Sequence, residues 1–143
     1  MIILNTKKNK LMKIKTMAAT YSILIGVSII GMWTILYIIG SIPEFDKEPI
    51  RIGMHLFAEI AAGIILILGA YGLLSNKRWG YNIYLISMGM LIYTLLVSPG
   101  YYAEKGNYLF VAMFAIILFF SIVFMVFSFT KPEEFTSFRK IKN

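Results

Sequence analysis

Apolar and polar positions fall in long blocks along this chain, without the two-residue alternation of strands. Four blocks are almost wholly apolar: residues 17–40, 52–74, 80–97 and 108–129. Crossing a hydrocarbon core of about 30 Å takes roughly 20 residues of helix, and each block has that order of length. The segments between them carry the breakers. Residues 41–51 contain Pro43 and Pro49, residues 75–79 form a short polar turn, and residues 98–107 contain Pro99, Gly100 and Gly106. Links this short make successive helices antiparallel neighbours. The pattern predicts a single domain over residues 1–143, all-α, built as a four-helix bundle integral to a membrane.

Composition strengthens that reading. Of the 143 residues, 59% are hydrophobic and 15% charged, against about 25% charged in a soluble domain. The chain has no cysteine, which removes disulfides, thiolate metal sites and cysteine nucleophiles. A net charge of +7 would suggest nucleic acid in a soluble protein. Here the basic residues sit between the apolar blocks, where topology rules place them, so the expected partner is the lipid bilayer, with anionic lipid near the charges and no nucleic acid.

Basic residues also set an expected orientation. Lys7, Lys8, Lys10, Lys13 and Lys15 precede the first block, Lys77 and Arg78 lie in the middle turn, and Lys131, Arg139, Lys140 and Lys142 follow the last. Only Lys47, Arg51 and Lys105 fall on the other side, among Glu44, Asp46, Glu48 and Glu104. The positive-inside rule then puts both the N- and C-termini in the cytoplasm. The first apolar block exceeds the 7–15 residues of a signal-peptide core and no A-x-A site follows it, so it is expected to stay as an anchor. Lys-, Ile- and Asn-rich usage suggests an AT-rich prokaryotic genome, hence a prokaryotic cell membrane.

Trp33, Tyr37, Trp79, Tyr81, Tyr101, Tyr102 and Tyr108 lie near predicted helix ends, as interface belts require. The fourth block has many phenylalanines and no ionisable group, and reads as lipid-facing.

Among the four blocks, only the second holds ionisable side chains. His55 and Glu59, four residues apart, share a helix face and can meet. A lone charge at that depth costs a few kcal/mol, so an intramembrane carboxyl should face inward, be paired or be neutral, and is by default a functional-site hypothesis. Histidine titrates near neutrality with small perturbations, which suits the pair to binding a ligand or a proton. Ala62, Leu66 and Gly69 continue the same face, with Ala58, Ala61, Gly63, Ala70 and Gly72 nearby; small residues let helices approach closely in lipid. Thr34 and Tyr37 on the first helix, Tyr93 and Thr94 on the third, and Tyr101 and Tyr102 in the following loop are the expected partners of an outward-opening polar pocket. The competing expectation is that the pair is interhelical hydrogen-bond glue.

Metal chemistry fails on ligand count. Catalytic zinc needs three protein ligands and a facial-triad iron two histidines and a carboxylate, whereas this chain has one histidine. Bis-histidine haem fails equally within one chain. The nine methionines share no face and read as core filler. No catalytic triad, phosphate loop or nucleotide fingerprint is present.

The stretch from Ala58 and Glu59 through Gly63 and Gly69 to Leu74 resembles the second-helix pattern of DoxX-like proteins, which are small four-helix membrane proteins. The resemblance implies a membrane-embedded accessory subunit near quinone-linked sulfur or redox-stress chemistry, with Glu59 as the position to carry over. His55 and the segment Ser98-Pro99-Gly100-Tyr101-Tyr102 have no place in that pattern.

Three functions therefore stand open. An accessory or ligand-binding subunit for a quinone-like or other lipophilic small molecule is favoured over an enzyme. The alternatives are a small proton-coupled carrier, weakened by the lack of internal repeats, and a structural or assembly protein. A membrane-protein partner or a homo-oligomer fits any of the three.

Overall fold

A computed structural model describes residues 2–40, 42 and 46–136, with side chains from residue 13 onwards. Of the residues weighed for orientation and breaking, Pro43, Glu44, Arg139, Lys140 and Lys142 lie outside this set, as do the side chains of Lys7, Lys8 and Lys10.

The described residues form helices α1 (Ile2–Ile38), α2 (Pro49–Leu74), α3 (Gly80–Glu104), α4 (Tyr108–Thr130) and the short α5 (Pro132–Thr136). Four of these are long and apolar enough to cross a membrane, with the first such span running Lys13–Ile38. Three boundaries differ from the expected blocks by three residues or more. The first helix begins well before residue 17, because the lysine-rich segment ahead of the apolar block is made of good helix formers. The second begins at Pro49, which takes the first-turn position where its missing N–H costs nothing.

The third difference is the largest. Pro99 does not end α3 at residue 97 but lies inside it. A proline inside a helix removes one backbone hydrogen bond, a loss that apolar-span helices absorb. The true stop is Gly106, whose φ of +70° closes a Schellman motif. Its N–H donates to the Ala103 carbonyl at 3.0 Å, and that of Asn107 to the Tyr102 carbonyl at 2.8 Å. The turn after α2 uses the same device with Asn76 at φ +53°: Asn76 N–H donates to Leu73 at 3.2 Å and Lys77 N–H to Gly72 at 2.9 Å. The Lys15 ammonium, reaching across from α1, donates to Asn76 Oδ1 at 2.7 Å.

The helices neighbour one another in chain order, α1 on α2, α2 on α3, and α3 on α4. Bare glycines set the spacing. A Cβ on Gly26 would lie 2.7 Å from the Gly63 carbonyl oxygen, one on Gly69 2.8 Å from the Tyr84 backbone, and one on Gly80 2.2 Å from the Gly72 carbonyl carbon. Between these contacts the core is Ala18, Ala19, Leu66, Ala70, Tyr84, Met88 and Leu91. Buried residues on α4 are only Ser121 and Ser128, so the fourth helix turns most of its surface outward, as its phenylalanine-rich sequence suggested. Two tyrosines fasten it. Tyr21 donates to the Ile117 carbonyl at 2.9 Å, and Tyr81 to that of Ser128 at 2.9 Å.

Helix α5 is absent from the sequence expectation. Pro132 starts it, and the chain turns back so that Phe135, 2% exposed, stacks on Tyr84 with ring centroids 5.7 Å apart. Phe135 plugs the end of the bundle where the helix-2 to helix-3 turn lies. Phe135→Ala should lower stability by about 3 kcal/mol, as buried phenylalanine truncations do, while Glu133→Gln on the exposed side of the same helix should leave it unchanged; denaturant titration in micelles compares them. Equal, small effects would mean that α5 does not hold the bundle closed.

Candidate functional site

His55 and Glu59 meet as their spacing required: His55 Nε2 lies 3.3 Å from Glu59 Oε1. Their surroundings differ. Glu59 is buried at 7% exposure, whereas the His55 side chain is 39% exposed. The carboxylate takes donors from three helices. Trp33 on α1 donates its indole N–H to Oε2 at 2.5 Å, Ser98 on α3 donates its hydroxyl to Oε1 at 3.3 Å, and His55 approaches from its own helix. Trp33 also meets the His55 ring edge-on, with centroids 5.9 Å apart. Acceptor capacity on a carboxylate matches this donor set, so Glu59 is a clamp joining α1, α2 and α3.

Sequence reasoning missed both of the new partners. Trp33 was expected in an interfacial aromatic belt, but it is buried at 9% exposure, and a buried indole N–H needs an acceptor. Ser98 was expected in a loop; the continuation of α3 through Pro99 is what carries it to Glu59.

The expected partners divide. Tyr93 and Thr94 lie beside His55, across a cleft between α2 and α3. Tyr37 does not join them. It is 71% exposed, one turn beyond Trp33, and makes no hydrogen bond to the pair. Thr34 is turned away, donating to its own helix at the Ile30 carbonyl. Tyr101 and Tyr102 are helical, in edge contact with each other, and Tyr102 stacks on Phe110 of α4 at 4.9 Å.

The cleft has a volume of about 380 Å³ and is open along one side. From α2 it is lined by His55, Ala58 and Ala62. From α3 come Gly89, Met90, Tyr93, Thr94 and Val97. Glu59 is not in its wall. The buried face of α2 is otherwise the one its small residues marked, from Glu59 through Ala62, Gly63, Leu66 and Gly69 to Leu73, but Ala58 is exposed and belongs to the cleft. Thus the arrangement is one apolar trough with a hydrogen-bonding imidazole at one end, its Nε2 held from behind by the Glu59 carboxyl. Among the described residues, no group of three or more His, Cys, Asp or Glu side chains could hold a metal ion.

Directly beneath this polar layer the interior is apolar, and the buried hydroxyls of Ser22 and Ser87 follow further in. Ala62, Leu66, Leu91 and Leu95 are buried in the apolar part, beside the Gly26–Gly63 contact. A family model described as a domain of unknown function, DUF8058, matches residues 12–140. No curated protein and no solved structure matches the chain.

Proposed function

This chain belongs to the DUF8058 family, and from that premise we propose that it is an integral protein of a prokaryotic cell membrane whose His55 holds a lipophilic small molecule bearing a hydrogen-bonding carbonyl or hydroxyl, such as a quinone. The observation that carries this reading is the division of labour between His55, which opens on the α2/α3 cleft, and Glu59, which does not. A polar pair serving only as glue would have both members closed in helix contacts, as Glu59 is. Pockets for small ligands are largely apolar, with a few placed polar groups, and a cleft of about 380 Å³ lies within their range of about 300–1,000 Å³. The resemblance of the second helix to DoxX-like proteins, which carries over Glu59 and not His55, is in keeping with an accessory role.

Four apolar helices give the spans, and the excess of Lys and Arg at one end supports the orientation with both termini cytoplasmic. His55 then lies in the outer half of the bilayer, about 9 Å along the axis from Pro49. The carrier reading lacks support from a continuous polar route, since Leu66 and Leu91 are fully buried between Glu59 and the buried hydroxyls of Ser22 and Ser87.

The test is ligand-induced thermal stabilisation in detergent, using a fully substituted benzoquinone with a decyl tail. Wild type should gain stability with ligand concentration. His55→Ala should lose that gain while costing less than about 1 kcal/mol in the absence of ligand, because the ring is partly exposed. A gain that survives in His55→Ala removes the residue from the site; no gain in wild type defeats the ligand reading.

A further inference from the structure

We infer that the ligand enters His55's cleft sideways from the lipid, in the gap between α2 and α3, and is therefore a membrane-resident amphiphile whose polar head meets His55 while its tail leaves between the helices. This rests on the ligand reading above and adds the route and the shape of the ligand.

The walls of the cleft fix the direction of opening. His55 and Val97 are its members nearest the outer end; among the described residues, none of the outer connections lines it. From there it runs inward along the helices to Ala62 and Gly89, about 10 Å on α2. Its rim residues belong to the apolar spans and face outward, Tyr93 at 68% and Val97 at 52% exposure. At Gly89 a Cβ would meet nothing within 4 Å, although the same two helices touch backbone to backbone at Gly72 and Gly80. Gly89 is exposed, so the cleft is open to the outside at its inner end as well as at Tyr93 and Val97. Behind the cleft the way is shut. Both Glu59 oxygens are occupied by donors from α1, α2 and α3, and the layer below is Leu66 and Leu91.

A hydrophobic tail gains little by moving from lipid into an apolar trough, because lipid chains are as apolar as leucine. Specificity therefore lies in the head at His55, and the tail's part is to keep the molecule in the layer where the cleft opens.

Trp33, in edge contact with His55, reports occupancy. With Trp79→Phe it is the sole tryptophan, since the chain has two. Two fully substituted benzoquinones sharing one ring are titrated against this protein in phosphatidylcholine nanodiscs, one with a decyl tail and one with a short arm ending in a sulfonate that confines it to water. The tailed quinone should quench Trp33 to saturation and the sulfonated one only linearly, by collision. Gly89→Phe, which fills the cleft from an open position, should weaken the saturable phase at least about tenfold; Val97→Phe at the other end of the rim is the second variant, should the first not fold. Saturable quenching by the sulfonated ring, or unchanged affinity in a folded rim variant, overturns lateral entry while leaving the ligand function standing. Saturation by neither compound overturns both.

Discussion

Gly80→Ala should destabilise the protein by about 3 kcal/mol or more, the upper range of overpacking costs, and should do so through one methyl group. Its Cβ would meet the Gly72 carbonyl carbon at 2.2 Å and the Leu73 nitrogen at 2.6 Å. Both are backbone atoms, so no rotamer change relieves the clash and the helices must part. Gly89→Ala, on the same helix with nothing within 4 Å of the new methyl, should be neutral or gain up to about 1 kcal/mol of helix propensity. Unfolding of both variants by denaturing detergent in mixed micelles makes the comparison. Equal effects would show that α2 and α3 are not in backbone contact at Gly72 and Gly80.

A second large loss is expected at the clamp. Glu59→Ala strips the acceptor from Trp33 Nε1, Ser98 Oγ and His55 Nε2 at once. Single interhelical hydrogen bonds inside membranes average about 0.6 kcal/mol and reach about 1.7, and a buried donor left unmet costs about 1–3 kcal/mol. The three together should amount to about 2–4 kcal/mol. Glu59→Gln keeps an oxygen for one or two of the donors but sets its amide against the rest, so it should fall between Glu59→Ala and wild type. A double-mutant cycle of Glu59→Ala with Trp33→Phe should show coupling above about 0.5 kcal/mol, the ordinary limit of additivity. An additive pair would mean that the indole and the carboxylate do not depend on each other.

The clamp also separates two roles that the spacing of His55 and Glu59 left joined. Glu59 holds three helices in register; His55 faces the cleft with its imidazole oriented by Glu59. Altering the carboxylate should therefore change both stability and ligand affinity, whereas altering the imidazole should change chiefly affinity.

Much of this was legible in the residue order. Long apolar blocks with short breaker-rich links can satisfy their backbone groups only as helices when buried in an apolar medium, so four helices followed from the pattern alone. The meeting of His55 with Glu59 was equally local, because residues four apart on a helix face the same way. The small-residue face of α2 was readable for the same reason, since a periodic stripe marks the side that packs.

What only the tertiary structure decided are relations between residues distant in sequence. Pro99 and Gly106 both looked like breakers of one link, but the chain spends the proline inside α3 and ends the helix on the glycine's positive φ, and that choice brings Ser98 to Glu59. Trp33 stands 26 positions from Glu59, and nothing in its local sequence separates a buried indole from an interfacial one. Phe135 finds Tyr84 only after the chain reverses into α5. Periodicity determines which residues share a helix face, because it is a property of one helix. Which face meets which neighbour depends on how closely backbones can approach, and that was set by glycines on different helices, Gly26 against Gly63 and Gly72 against Gly80.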